Sequence, residues 1–270
     1  MQKDFIIFDL MDLQLKDKVI IVTGGAKGIG EGIVEVLARE GALPVIVGRN
    51  EDDNRAALQK INGKGFQVVA ELTRPDACKR AVEETIRHYG RIDGLVNNAG
   101  VNDGVNLEHG SYEAFMASLH KNVVHYYLMA HHALTELKKS KGAIVNIGSK
   151  VAETGQGGTS AYAAANGGRN GLTREWAVEL LKYGIRVNAV IVAESYTPLY
   201  ENWIRTLPNP EETLKEINKR IPLGNRMTTA EEIANMVTFL LSERSSHTTG
   251  QLIHVDGGYV HLDRSVSALN

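Results

Sequence analysis

Short, largely apolar runs recur along this chain at residues 19–22, 45–47, 66–70, 95–96, 143–147, 187–192 and 251–255, the first of them unbroken. Runs of that length, without polar alternation, are what strands buried on both faces require. Between them apolar residues return at helical spacing. Ile33, Val34, Leu37 and Ala38 lead to Gly41, and Ala81, Val82, Thr85 and Ile86 repeat the pattern. Longer helical stretches are predicted over 112–137 and 162–181, with further helices over 211–220 and 230–241. Strand and helix alternate throughout, which predicts an α/β fold: a doubly wound parallel sheet with helices on both faces and right-handed crossovers. No repeat and no linker rich in Pro, Gly or Ser divides the chain. Residues 13–270 are therefore expected to form one domain, after an N-terminal extension over 1–12.

Composition narrows the partners. Of 270 residues, 43% are hydrophobic and 23% charged, and the formal charge is −2. There is enough apolar material for a large core and no basic surplus, so nucleic acid is not an expected partner. The one cysteine, Cys78, excludes an internal disulfide and a multi-cysteine metal site, and reads as a half-buried helical thiol. Nine histidines contain no His-Glu-x-x-His, so no metal is expected. No run approaches the ~18 apolar residues of a membrane span. Asp4 and Asp9 bracket the only apolar run near the start, which is wrong for a signal peptide. A cytoplasmic protein without a membrane partner is expected.

The first strand runs into Thr23-Gly24-Gly25-Ala26-Lys27-Gly28-Ile29-Gly30, where the first helix opens. Gly24, Gly28 and Gly30 permit a tight turn, close approach of backbone to a pyrophosphate, and close helix–strand packing. The helix N-terminus adds unpaired N–H groups and partial positive charge, and Lys27 and Ile29 complete the turn. Glu31 follows Gly30, so this is not a Walker loop. A Rossmann-type dinucleotide site is predicted. The second strand ends in Gly48-Arg49-Asn50, without an acid to bond the adenosine ribose. Arg49, with Lys27, would instead pair with a 2′-phosphate. NADP is the expected cofactor, with NAD possible.

From about Leu13 onward the chain resembles the short-chain dehydrogenase/reductase family. Asn97-Asn98-Ala99-Gly100 is similar to the family's motif after the fourth strand, with Asn98 expected at the cofactor. Asn122, Ser149 and Tyr162 match its catalytic asparagine, serine and tyrosine. The resemblance implies hydride transfer between a nicotinamide and a carbinol carbon. Tyr162 would be the acid/base, Ser149 would hold and polarise the substrate oxygen, and Asn122 would hold a water of a proton path. It further implies that Thr197 contacts the nicotinamide carboxamide and that Leu72 packs beside adenine, with Glu71 at the usual aspartate position. A homotetramer built on helices 112–137 and 162–181 is also implied.

One residue departs from the family. Its pattern is Tyr-x-x-x-Lys, and here Asn166 stands in the lysine position. The family lysine binds the nicotinamide ribose and favours ionised tyrosine by its charge, whereas an amide keeps the hydrogen bonds alone. Gly167 and Gly168 follow, at a cost in helix propensity on the order of 2 kcal/mol, which suggests a functional or close-packing constraint. Two cations stand near in sequence. Arg169 lies seven residues after Tyr162 on the same helical face, and Lys150 adjoins Ser149. Each reads first as a solvated charge or substrate contact, and second as a replacement for the lysine. Without a replacement, an alkaline optimum is expected.

Within the family the resemblance is to bacterial L-fucose dehydrogenase-like members, which oxidise aldoses at C1 to lactones. It rests on residues 101–104, 150–157, 173–176, 193–200 and 257–264. A neutral polyol needs several hydrogen-bonding groups and an apolar surface. Asn102, Lys150, Gln156 and Glu194 are the polar candidates, and Tyr200 and Trp203 could stack on a sugar. Two readings stand beside this one: an oxoacyl or other carbonyl reductase of the same family, and an NADP-binding protein whose catalysis Asn166 has impaired.

Overall fold

Every apolar run expected to be a strand becomes one. In the computed structural model, which describes residues 11–262, the strands are Val19–Thr23 (β1), Leu43–Gly48 (β2), Phe66–Val69 (β3), Gly94–Asn97 (β4), Ala143–Ser149 (β5), Arg186–Val192 (β6) and Leu252–Val255 (β7). They form one parallel sheet in the order β3-β2-β1-β4-β5-β6-β7. The helices are Gly28–Arg39 (α1), Glu51–Lys60 (α2), Pro75–Tyr89 (α3), Tyr112–Leu119 (α4), His125–Ser140 (α5), Ser160–Glu179 (α6), Pro198–Ile204 (α7), Pro210–Lys219 (α8) and Ala230–Leu241 (α9). Of the expected extension over 1–12, all but Met11 and Asp12 lies outside the described residues.

The period-two geometry of a strand sends alternate residues of β1 into different cores. Val19 and Ile21 pack with Ala81 and Val82 of α3, Tyr126 and Met129 of α5 and Trp176 of α6. Ile20 and Val22 pack with Ile33 and Leu37 of α1 and Ile233 and Val237 of α9. That double burial is why the runs carry no polar alternation. On the second face, α1 and α9 approach so closely that a Cβ on Gly32 would lie 2.9 Å from the Ala230 Cβ.

Three local readings change. The helix expected over 112–137 is two helices joined by a π-helical turn, His120–Val124, with Asn122 fully buried inside it. Such turns insert a residue and redirect side chains, often at functional sites. The short α7 was not foreseen, although Thr197-Pro198 signals its start: the Thr197 hydroxyl accepts the Tyr200 N–H at 3.3 Å, with Pro198 in the first turn. Cys78 is fully buried rather than half-buried; its thiol points at the Leu72 carbonyl, 3.4 Å away, and burial pushes its pKa up to about 11. No helix among the described residues is long and apolar enough to cross a membrane.

β1 has β2 on one side and β4 on the other, so the strand order reverses there. The crevice at the carboxyl ends of such strands is where open α/β sheets bind ligands. The glycine turn, Ser149 and Thr197 all follow carboxyl ends of strands on this rim.

Candidate active site

Space as well as dihedral angle demands glycine between β1 and α1. Gly24 and Gly28 have φ of 63° and 59°, a region costly for any residue with a Cβ. A Cβ on Gly30 would lie 2.1 Å from the Gly24 carbonyl oxygen. Asn98 holds this turn from β4. Its Nδ2 donates to the Thr23 carbonyl at 2.9 Å, and its own N–H donates to Thr23 Oγ1 at 2.8 Å. Lys27, the N-cap of α1, makes no side-chain hydrogen bond to the first turn, which leaves those N–H groups for an anion. Ile29 is half-buried against the α1 core. Thr197 closes over the turn: a Cβ on Gly28 would meet its Cβ and Cγ2 at 3.3 Å.

The expected adenosine end is less open. Arg49 is exposed, with Nη1 3.9 Å from Glu71, and Lys27 Nζ lies 2.7 Å from Asp53. Both cations thus already have carboxylate neighbours. Leu72 is 7% exposed and belongs to the core with Val68 and Cys78.

Around α6 the structure overturns one expectation. Arg169 is neither solvated nor a surface group: it is 2% exposed. Its Nε donates to the Asn122 carbonyl at 2.7 Å and Nη1 to the Ile147 carbonyl at 3.1 Å and to Asn166 Oδ1 at 3.0 Å. Its Nη2 reaches Asn122 Oδ1 at 3.5 Å. Four bonds from five N–H donors nearly satisfy the group, yet it pairs with no carboxylate among the described residues. Its charge is therefore buried without neutralisation, a costly arrangement. The guanidinium carbon lies 4.3 Å from the Tyr126 ring centroid and 5.9 Å from that of half-buried Tyr162. Gly100 makes room for it, since a Cβ there would lie 2.7 Å from Nη2.

The neighbouring groups take their places from this cation. Asn166 is fully buried; its Nδ2 donates to the Tyr162 carbonyl at 2.9 Å while its oxygen receives Arg169. The carbonyl of Asn122, the residue expected to hold a water, accepts Arg169 Nε, and its Oδ1 accepts the Val101 N–H at 2.8 Å. His125, against the same cation, is held neutral: burial first, then Arg169, push its pKa down to about 3. Ser149, at the end of β5, accepts the Val151 N–H through its hydroxyl at 3.5 Å.

Of the residues expected around a substrate, Lys150 and Glu194 come together and Asn102 and Gln156 do not join them. Lys150, expected as a solvated or substrate-contacting charge, is buried and ion-paired with Glu194. Its Nζ also sits 4.0 Å above the ring of Tyr259, a residue not anticipated here. Tyr200 and Trp203 meet edge to face, 5.0 Å between centroids. Burial, then the Glu194 carboxylate, raise the pKa of the Tyr200 hydroxyl above its ordinary value. Asn102 is exposed and accepts the Gly104 N–H at 3.3 Å; Gln156 is exposed. Arg169 was legible in part, because it stands three residues after Asn166 on one helix face. Tyr259 gave no such signal, since its neighbour lies over a hundred residues away.

A family model described as enoyl-(acyl carrier protein) reductase matches residues 24–260. The chain belongs to the short-chain dehydrogenase/reductase family. L-fucose dehydrogenase of Bos taurus is 36% identical over 249 residues, covering 92% of this chain and 91% of the relative. The 3-oxoacyl-acyl-carrier-protein reductase FabG of Thermotoga maritima is 37% identical over 253 residues, covering 92% and 100%. A crystal structure of Cj0485 dehydrogenase is 46% identical with a TM-score of 0.91, covering 95% of this chain and 99% of that one.

As a member of this family the chain is an NAD(P)-dependent oxidoreductase acting on CH–OH groups. The glycine turn fits such a cofactor on its own evidence: no Cβ is tolerated at Gly30, and no side chain caps α1. Where the family carries its lysine, this short-chain dehydrogenase/reductase has an Asn166–Arg169 pair.

Proposed function

We propose that this chain oxidises the C1 hydroxyl of an aldose of the L-fucose type, prefers NADP to NAD, and works as a homotetramer. The observation that carries the sugar reading is the Lys150–Glu194 pair beside Tyr200, Trp203 and Tyr259. Charged partners held in place give strong hydrogen bonds to hydroxyls, and aromatic rings suit the C–H face of a sugar. An acyl chain needs no such pair, and an acidic carrier would meet a lysine already neutralised.

A bound nicotinamide supplies the hydride acceptor. Gly24, Gly28, Gly30, Ile29 and Thr197 would hold it, with Arg49 and Lys27 at a 2′-phosphate. Tyr162 takes the proton from the C1 hydroxyl, and the Ser149 hydroxyl holds the same oxygen. Before that transfer the negative charge sits on the Tyr162 oxygen, and the buried Arg169 guanidinium, 5.9 Å from the Tyr162 ring centroid, is the fixed cation that favours it. Asn166 and Asn122 aim that cation. The charge lost with the lysine is thus supplied from three residues further on, which favours an active enzyme over an impaired one.

NADP preference is supported by the exposed Arg49 at the end of β2 and by Gly48, where any Cβ would lie 2.3 Å from Asn54 Oδ1. An acidic side chain there would force the buried Asn54 amide to move. The tetramer is supported by apolar residues left exposed on the two long helices, Tyr127 and Val178. The test is NADPH formation from L-fucose and a panel of aldoses, set against reduction of an acetoacetyl thioester. Lactone formation with the aldoses is expected. Faster thioester reduction, or NADPH binding without turnover on any substrate, would overturn the reading.

A further inference from the structure

Outside the active site, three ligand-type side chains from distant segments converge. Glu153 follows the one-turn helix after β5, His254 lies on β7, and His261 is in the C-terminal turn. Their donor atoms all lie within 4.8 Å of one another. His254 Nε2 stands 3.0 Å from Glu153 Oε2, and the side chains of His254 and Glu153 are only 16% and 25% exposed. The two imidazoles meet edge to face, 4.3 Å between centroids.

The chain builds this convergence deliberately. β7 is an edge strand paired with β6, where Ile191 registers with His254. Directly after it, the Asp256 carboxylate accepts the Gly258 N–H at 2.8 Å and the Val260 N–H at 2.9 Å. Gly257 and Gly258, with φ of 63° and 82°, let the chain reverse, and the reversal brings His261 back onto His254. On the other side, Asn170 Nδ2 reaches Glu153 Oε1 at 3.5 Å. One carboxylate oxygen is thereby oriented by a neighbour while the other faces the imidazoles, the outer-sphere arrangement usual at metal ligands. A hydrogen bond between His254 and Glu153 would account for two of the three residues. It leaves His261 without a hydrogen bond or ion pair among the described residues.

We propose that Glu153, His254 and His261 bind one divalent transition-metal ion, contrary to the absence of metal expected from the histidine spacing. Two imidazoles and one carboxylate suit zinc, nickel or cobalt and disfavour magnesium and calcium, which take oxygen donors. Bond lengths near 2.0–2.1 Å in a tetrahedron place ligand atoms about 3.4 Å apart. His254 and Glu153 stand 3.0 Å apart, and the His261 donor already lies within 4.8 Å of both. The ion ties the loop after Ser149 to the C-terminal segment that carries Tyr259, so it staples two walls of the substrate side.

The test uses the full chain, stripped with chelator and titrated with zinc chloride against a chromophoric competitor. Cobalt(II) substitution adds a visible spectrum that reports four-coordinate geometry. One zinc per chain is expected, with a dissociation constant on the order of 10 μM or tighter and a higher Tm in zinc. His254→Ala and His261→Ala should each weaken binding by at least ~10-fold, and Asn170→Ala by roughly 10-fold. His261 is exposed, so its variant decides the matter should His254→Ala fail to fold, as judged by circular dichroism without metal. Zinc affinity unchanged in His261→Ala, or no stoichiometric binding to the parent chain, would overturn the proposal.

Discussion

On the proposed function, two regions of this molecule present positive charge to a ligand or intermediate, and they are built differently. At the β1–α1 turn the charge is that of backbone N–H groups, placed by glycines within seven residues of one another. Midway along α6 it is one guanidinium, held by groups from the π turn, from the end of β5 and from α6 itself. The first device is local: remove one glycine and the turn cannot close. The second is distributed across three elements. In the proposed mechanism Asn166 supplies no charge, so the cation must come from Arg169, and Asn122, Ile147 and Asn166 hold it in place. A charge delivered through three dimensions tolerates exchange; a backbone conformation does not.

The largest expected effect separates chemistry from binding. Tyr162→Phe should lower turnover by ~100-fold or more, the scale of general acid–base catalysis, while fluorescence titration shows NADPH binding unchanged. Turnover within a few-fold of the parent would move the proton transfer elsewhere.

Next comes a direct challenge to the distributed cation. Asn166→Lys alone restores the family residue, yet it buries a second positive charge against Arg169. We expect it to cost about 10-fold or more in activity, or to lower Tm by several degrees, because like charges in a buried site repel. Asn166→Lys with Arg169→Leu should recover most of the loss. Arg169→Leu alone removes the buried cation beside the Tyr162 ring and should lower turnover by about 10-fold or more while NADPH binding holds. If the single lysine variant gains activity at neutral pH, Arg169 was not supplying the charge.

A smaller effect probes the adenosine end of the cofactor side. Arg49→Ala should weaken NADP by roughly 10-fold, about 1.4 kcal/mol, and leave NAD affinity alone. Glu71 already sits 3.9 Å from Arg49, which limits how much the phosphate contact can gain. Equal losses for both cofactors would assign Arg49 to the fold rather than to the phosphate.

The smallest concerns Gly167, over which no atom lies within 4 Å. In an isolated helix, Gly167→Ala should stabilise by up to about 1 kcal/mol. If a second copy packs on this face, as the homotetramer requires, the variant should instead weaken association, which analytical ultracentrifugation would register.

The strands, most helices and the glycine turn were legible because each depends on neighbours in sequence: burial on both faces writes a continuous apolar run, and a tight turn writes glycine. The family pattern likewise located Ser149, Tyr162, Asn122 and the departure at Asn166. What the sequence could not disclose is how charges pair across the fold. Arg169 and Lys150 read as surface cations, and both are buried, one against carbonyls and one against Glu194. The π turn at Asn122, the Tyr259 ring above which Lys150 sits, and the meeting of Glu153 with His254 and His261 were equally hidden. Whether a charge is solvated depends on what the rest of the chain stacks over it, and residues 44 or 101 apart in sequence come together only once the sheet has formed.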